Sequence, residues 1–213
     1  MFDLDQWPLH QLVLRTPRLE LRPDDDAGLA ELASVARKGV HPPEQMPFAF
    51  PWTDADPDEL GRNLVQYHWS MRAALNPRDW TVQFLIRVDG QVIGCQGLTA
   101  TNFALSREVS SGSWLGMDWQ GQGYGTEMRA AVLMFAFDHL GARTARSGAF
   151  LDNASSRRVS EKVGYRADGT ETWIRRGAVA TQTRLLLDAG DLRRPDWSLS
   201  VSGLDACRSL LGA

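Results

Sequence analysis

Three glycines in five residues, Gly121, Gly123 and Gly125, sit in the run Trp119-Gln120-Gly121-Gln122-Gly123-Tyr124-Gly125-Thr126-Glu127. The stretch before this run alternates like a strand, and the stretch after it carries apolar residues at helical spacing, so the run reads as a strand-to-helix turn. Glycine reaches positive φ without a Cβ clash and lets the backbone approach a ligand closely. The first amides of a helix have no internal acceptors, and the helix dipole places partial positive charge there. The turn is therefore suited to be an anion nest that works through the main chain, and a pyrophosphate is its natural guest.

Three readings compete for this turn. A tight connection with no ligand is the first. A dinucleotide fold is the second, but its G-x-G-x-x-G pattern would need a glycine where Thr126 stands, and it also needs an extended parallel sheet. A Walker loop is excluded, because no Gly-Lys-Ser/Thr follows. The third reading takes Gln120-Gly121-Gln122-Gly123-Tyr124-Gly125 as Q/R-x-x-G-x-G/A.

The rest of the chain sets the context. Arg18 to Arg22 alternates as a short strand, and Asp24 to Asp26 supply the acids of a helix start ended by Gly39. Residues 40–56 hold four prolines and the apolar cluster Met46, Phe48, Phe50 and Trp52, which reads as a long ordered loop covering something. Asp56-Pro57 opens a helix with Leu60, Leu64, Tyr67, His68 and Met71 on one face. Trp80 to Val88 and Gln91 to Leu98 flank Asp89-Gly90, a hairpin signal. Residues 108–115 form a strand with Glu108, Ser110, Gly112 and Trp114 on one side. After the glycine turn come a helix to Leu140, a strand over 144–151, a short helix over 153–163 and a final strand pair around Arg176-Gly177. Two hairpins give antiparallel pairs, and the strand–turn–helix–strand unit over 108–151 permits one parallel pair.

Composition narrows the function. The net charge of −3 over 213 residues shows no basic stripe, so no nucleic-acid partner is expected. Cys95 and Cys207 are too few for a disulfide framework and lack metal-ligand spacing, so no metal is expected. No apolar run approaches about 18 residues, so no membrane span is expected. The acidic, proline-containing N-terminus does not read as a signal peptide, and the expected compartment is the cytoplasm.

The Q/R-x-x-G-x-G/A pattern, between strand and long helix, resembles the pyrophosphate-binding motif of the GNAT N-acyltransferase superfamily. Downstream, Asn153, Ser156, Val159-Ser160 and Gly164-Tyr165 fall at the spacings of that family's Asn-x-x-Ala/Ser and Gly-Phe/Tyr elements. The likeness spans roughly residues 12–188. Thr16-Pro17-Arg18-Leu19 and Ser113-Trp114-Leu115-Gly116 resemble the branch that contains ribosomal-protein N-terminal acetyltransferases. The segments 46–53, 112–116, 125–133 and 152–155 are similar to an actinobacterial group that includes succinyl-CoA users.

The resemblance implies an α/β (α+β) fold: a mixed, mostly antiparallel sheet of six to seven strands, a splayed parallel pair and helices on both faces. It divides the chain into an N-terminal arm (1–11), an acyltransferase domain (12–190) and a C-terminal extension packed on it (191–213). It implies acetyl-CoA or succinyl-CoA as donor, held by Trp114, Leu115, Gly116 and Met117 along the strand, by Gln120, Gly121, Gln122, Gly123, Tyr124, Gly125 and Thr126 at the turn, and by Asn153, Ser155 and Ser156. Ser160 stands where many members carry a tyrosine that protonates the departing thiolate, and Glu108 is the carboxylate placed to act as base. Met46, Phe48, Trp52 and His68 are candidates for the wall of an acceptor pocket. The expected reaction is direct transfer of an acyl group to a primary amine on a small molecule or protein, with room for a homo-oligomer. A non-catalytic acyl-CoA-binding module and, more remotely, a nucleotide-dependent oxidoreductase remain as alternatives.

Overall fold

The computed structural model describes residues 6–213, so the first five residues of the expected arm lie outside the described residues. After a short turn at Pro8–Gln11 come β1 (Val13–Arg15) and β2 (Glu20–Pro23). Helix α1 (Asp26–Lys38) starts where Asp25 accepts the Gly28 amide at 2.7 Å, and it ends at Gly39, whose φ is 115°. Residues 40–56 form an ordered loop with one helical turn at Trp52–Asp54. Helix α2 (Pro57–Ala74) is capped by Asp56, which accepts the Asp58 amide. The hairpin of β3 (Asp79–Val88) and β4 (Gln91–Thr101) turns through Asp89 and Gly90 at φ 48° and 83°. Positive φ at both central residues is what a type I′ turn requires.

A single turn, α3 (Phe103–Ser106), leads to β5 (Glu108–Leu115). The glycine turn follows, then α4 (Tyr124–Met134), which continues with a wider winding through Phe135–Leu140. Residues 127–134 of α4 are buried on all sides, as befits a helix enclosed by the rest of the fold. Then come β6 (Thr144–Phe150), α5 (Ala154–Val163), β7 (Arg166–Arg175) and β8 (Ala178–Asp188). The tail adds β9 (Ser200–Ser202) and the turn α6 (Leu204–Cys207), and the Trp80 indole donates to the Leu211 carbonyl at 2.9 Å.

Among the described residues the sheet has nine strands, in the order β7-β8-β6-β5-β4-β3-β2-β1-β9. This exceeds the expected six to seven, because β1 and β9 pair with each other at the sheet edge. Each is three residues long, too short to show a period in sequence. Among the named strands only β5 and β6 pair in parallel, and they do so only at Glu108–Thr144, Val109–Ala145 and Ser110–Arg146. Beyond Ser110 the two strands part, although β5 continues to Leu115 and β6 to Phe150. That divergence is the splayed pair the resemblance implied.

Helices cover both faces. On one, Leu29, Leu32, Leu60 and Leu64 of α1 and α2 meet Leu85, Val92 and Cys95 of β3 and β4. On the other, Met128, Val132 and Phe135 meet Phe84, Ile86 and Val109. The alternation of Phe84, Leu85 and Ile86 between faces is the two-residue period of a strand buried on both sides. Among the described residues, no helix is long and apolar enough to cross a membrane.

Candidate active site

The glycine turn presents an uninterrupted row of main-chain donors. The amides of Trp119 and Gln120 donate to Gly116 and Met117, and those of Thr126 and Glu127 both donate to the Gly123 carbonyl. Between them, the amides of residues 121–125 have no acceptor among the described residues. Gly121 and Gly123 lie at φ 75° and 87°, which holds these donors on one concave surface. A Cβ on Gly121 would meet nothing within 4 Å, so the surface in front of the turn is open. The residues fit a diphosphate. Thr126, expected as an amide donor, is already engaged within the turn, and the row begins at Gly121.

Other expected donor-side residues fall differently. The Gln120 side chain donates to Val40 and Leu115 carbonyls, each at 2.8 Å, and so ties the end of β5 to the 40–56 loop. The Gly116 and Met117 amides are taken by Ile93 and Gly39. With the Gly116 amide turned toward β4, strand alternation leaves the main chain of Ser113 and the Leu115 amide facing the fork. Asn153 caps α5 by accepting the Ser156 amide at 3.0 Å, which leaves its amide nitrogen uncommitted. The Ser155 hydroxyl accepts from Arg158.

A cavity of about 760 Å³ opens on the α1/α2 face of the sheet, against the fork. Its floor is a grid of small and polar residues in register across three strands: Thr81, Thr99 and Ser110 in one row, Gln83, Gly97 and Gly112 in the next. A Cβ on Gly112 would meet nothing within 4 Å, so this glycine is where the floor drops away. One wall is α2, through Leu60, Asn63, Leu64, Tyr67 and His68. The opposite wall is the 40–56 loop, where Phe48 packs tilted against Trp52, and Trp52 against Trp114 of β5, with centroids 5.3 Å apart at each step. Of the expected acceptor residues, Phe48, Trp52 and His68 line this cavity, whereas Met46 is 4% exposed and does not line it.

The loop is clamped from the far side. Arg176, at the tip of the β7–β8 hairpin, grips the Asp54 carboxylate with two hydrogen bonds at 2.7 and 2.5 Å and also donates to Pro43 and Gln45 carbonyls. Its guanidinium holds the Asp54 carboxyl below the usual aspartate range. Arg175 pairs with Asp152 and donates to the Met46 carbonyl, over the Phe150 ring.

The expected catalytic residues are placed as follows. Glu108 does not line the cavity. Its carboxylate meets Arg146 at 2.9 Å and Thr144 at 3.1 Å, at the end of β5 where the parallel pairing is still closed. Ser160 is 1% exposed, and its hydroxyl donates to the Ser156 carbonyl one turn back at 3.0 Å. His68 does face the cavity. Its Nδ1 lies 2.9 Å from Asp24, which Arg72 also approaches, and its Nε2 has no partner among the described residues. The partner, 44 positions away, could not be read from sequence.

Two further groups were not anticipated. Glu127, 7% exposed in the first turn of α4, is held by Thr16 and by an ion pair with Arg18 at 2.6 Å, and Arg18 also donates to the Gln122 carbonyl. This cluster fixes the glycine turn to the N-terminal strands. Arg129, 4% exposed on α4, reaches into the fork and donates to Ser113 and Ser147 at 3.0 and 3.1 Å. Burial pulls its guanidinium below the usual arginine value, against a smaller opposing effect from Tyr165. A single arginine inside an otherwise apolar stretch, Met128 to Ala136, was the available signal.

The sequence matches the family model of the acetyltransferase (GNAT) domain over residues 18–166. The chain therefore belongs to the GNAT acetyltransferase family. Solved structures share its fold. RimJ from Mycobacterium smegmatis, in complex with CoA-disulfide, is 18% identical, covers 94% of each chain and superposes with a TM-score of 0.68. RimL, a ribosomal L7/L12 alpha-N-protein acetyltransferase in complex with coenzyme A, is 17% identical over 81% of this chain and 95% of its own, with a TM-score of 0.64. A spermidine N-acetyltransferase SpeG chimera, from Vibrio cholerae and hSSAT, is 16% identical over 81% and 96%, with a TM-score of 0.62. The sheet, with one parallel pair, removes the dinucleotide-binding alternative, which needs an extended parallel sheet.

Proposed function

We propose that this chain transfers an acyl group, acetyl or succinyl, from coenzyme A to a primary amine by direct attack. The observation that carries this reading is the adjacency of three features: the row of free amides at residues 121–125, the fork between β5 and β6, and the cavity that meets the fork at Ser110 to Trp114. The diphosphate sits on the amides. The pantetheine arm follows the fork and pairs with the main chain of Ser113 and Leu115. The thioester is thereby delivered to the cavity floor, where the amine arrives from the other side.

Holding the two reactants in register supplies much of the rate, because effective molarities of well-oriented groups correspond to about 7–11 kcal/mol. Among the described residues that line the cavity, no activated thiol competes for the acyl group. Cys95 is on the floor, but burial pushes its thiol well above the usual range, so it offers little thiolate. The amine must be neutral to attack. His68, oriented by Asp24, is the group in the cavity suited to take its proton, directly or through water, and this role passes from Glu108 because Arg146 occupies that carboxylate. Ser160, with its proton committed to Ser156, assists the sulfur only if that bond opens.

The acceptor is an amine on an apolar body, a protein N-terminus or an aromatic-sized small amine. The cavity wall is largely aromatic, and its lining carboxylate, Asp54, is already paired with Arg176, which suits a polyamine poorly. The test is thiol release with acetyl-CoA and with succinyl-CoA against a panel of peptides, aryl amines and polyamines, followed by mass spectrometry of the product. Acylation of apolar amines is expected. Tight donor binding with no thiol released from any acceptor would favour the non-catalytic module, which the engaged side chains of Glu108 and Ser160 also favour.

A further inference from the structure

A buried arginine is ordinarily paired with a carboxylate, because an unpaired charge in the interior costs several kcal/mol. Two other largely buried arginines follow this rule: Arg175, 12% exposed, pairs with Asp152, and Arg87, 14% exposed, pairs with Glu31. Arg129 does not. It is 4% exposed, and its guanidinium meets neutral oxygens, Gln96 Oε1 at 3.4 Å, Ser147 Oγ at 3.1 Å and Ser113 Oγ at 3.0 Å, with the Tyr165 phenol also beside it. No carboxylate among the described residues lies within ion-pair distance of it. Ser113 belongs to β5 and Ser147 to β6, both past the last paired residues Ser110 and Arg146, so the cation spans the mouth of the fork.

The two serines differ in where their own protons go. Ser147 donates to the Ser111 carbonyl at 2.9 Å. Ser113 has no acceptor for its proton among the described residues, and Ser113 lines the cavity. A hydroxyl that accepts from a guanidinium is a strengthened donor, since hydrogen bonds in a chain polarise one another. Its free proton is left to point at whatever occupies the junction of fork and cavity.

We propose that Ser113 and Arg129 act as one donor unit for the oxygen that becomes negative when the thioester is attacked. The inference rests on the reading above that the thioester lies at the fork. The amine nitrogen forms a bond to the thioester carbon, and the carbonyl π pair moves onto oxygen. Ser113 Oγ–H donates to that oxygen, and Arg129, acting through Ser113, is the positioning residue. When the oxygen re-forms its double bond, the C–S bond breaks and its pair leaves on sulfur. The proton lost by the amine ends on the thiol, which gives amide and free coenzyme A.

Removing one such donor lowers kcat by roughly 10²- to 10³-fold in enzymes that use them. Ser113→Ala is expected to lower kcat about a hundredfold with KM for the acyl-CoA within about twofold of the wild type. Arg129→Met, which exchanges a buried charge for an apolar side chain and so should fold, is expected to match it. The double variant should be little worse than either, because coupled groups are not additive. A second readout needs no acceptor. Infrared difference spectra of bound acetyl-CoA labelled with ¹³C at the carbonyl should show the stretch at lower frequency than in the free thioester, and Ser113→Ala and Arg129→Met should abolish that shift. Wild-type kcat in Ser113→Ala, or an unshifted band in the wild type, would overturn the proposal alone. Loss confined to succinyl-CoA would also overturn it, by reassigning the guanidinium to the acyl carboxylate. A donor that does not bind at all would remove the underlying function as well.

Discussion

Under the proposed function, the two sides of the fork recognise their ligands by different means. The donor side would rely on the backbone: five consecutive amides without an acceptor among the described residues, shaped by Gly121 and Gly123 and braced by Arg18 and Glu127. The acceptor side is made of side chains from distant segments, with Trp52 on a loop, His68 on α2, Gly112 on β5, and Arg176 clamping from the β7–β8 tip. A main-chain site recognises a group common to every acyl-CoA and can be specified within nine residues. A side-chain site recognises one acceptor and depends on the whole fold to assemble it.

If the two sides are separable, single substitutions should damage one and spare the other. The largest effects are expected at two glycines. Gly112→Leu fills open space in the cavity floor without backbone strain. It should lower kcat/KM for the amine by about a hundredfold or more, as misplacement of a reactant does, while the acyl-CoA Kd measured by calorimetry stays within about twofold. Gly123→Val places a β-branched residue at φ 87°, which costs about 1–3 kcal/mol of strain and disturbs the nest. It should weaken acyl-CoA binding by about ten- to a hundredfold and leave the KM for the amine unchanged. If either substitution harmed both ligands equally, the separation would fail.

His68→Gln should lower kcat/KM for the amine by about thirtyfold, and Asp24→Asn by about tenfold, with the donor Kd unchanged; general-base assistance is worth 10²–10⁴ when fully lost, and water replaces part of it. A fully active His68→Gln variant would return the proton to solvent. A smaller effect concerns the loop clamp. Arg176 holds the folded Asp54 pKa below its unfolded value. The clamp is therefore complete above about pH 4 and is lost as pH falls through that lower folded value. Trp52 fluorescence should stay flat from neutral pH to about pH 5 and change only on further acidification, and Arg176→Ala should erase the transition and raise the KM for the amine about threefold. The smallest effect is at Gly125, where φ is not positive and a Cβ would meet Val159 at an ordinary 3.6 Å. Gly125→Ala should change donor affinity by less than about twofold.

This contrast also explains what could be read in the chain. The glycine turn, the caps Asp25, Asp56 and Asn153, and the Asp89-Gly90 hairpin are local, so their chemistry is spelled out by neighbours in sequence. The floor glycine Gly112 and its face partners Ser110 and Trp114 followed from strand alternation alone. The His68–Asp24 pair did not, because it needs the register of α2 over the end of β2. Glu108 looked free as a strand-end acid, and only the parallel pairing with β6 brings Arg146 onto it. Strands β1 and β9 carry three residues each, and β9 is held at the sheet edge by pairing with β1. Arg129 was visible as an anomaly in an apolar helix, but the sequence did not show that the strands above it part.

The central claim is that the donor lies along the glycine turn and fork while the acceptor cavity on the other face stays open to an amine. Diffraction from crystals of the protein with a bound acyl-CoA tests this most directly. The account predicts diphosphate density on the amides of residues 121–125, the pantetheine arm beside Ser113 and Leu115, and the acyl carbon within reach of the cavity floor at Gly112. Density for the thioester on the far face of β7 and β8, or a diphosphate away from Gly121 to Gly125, would contradict it.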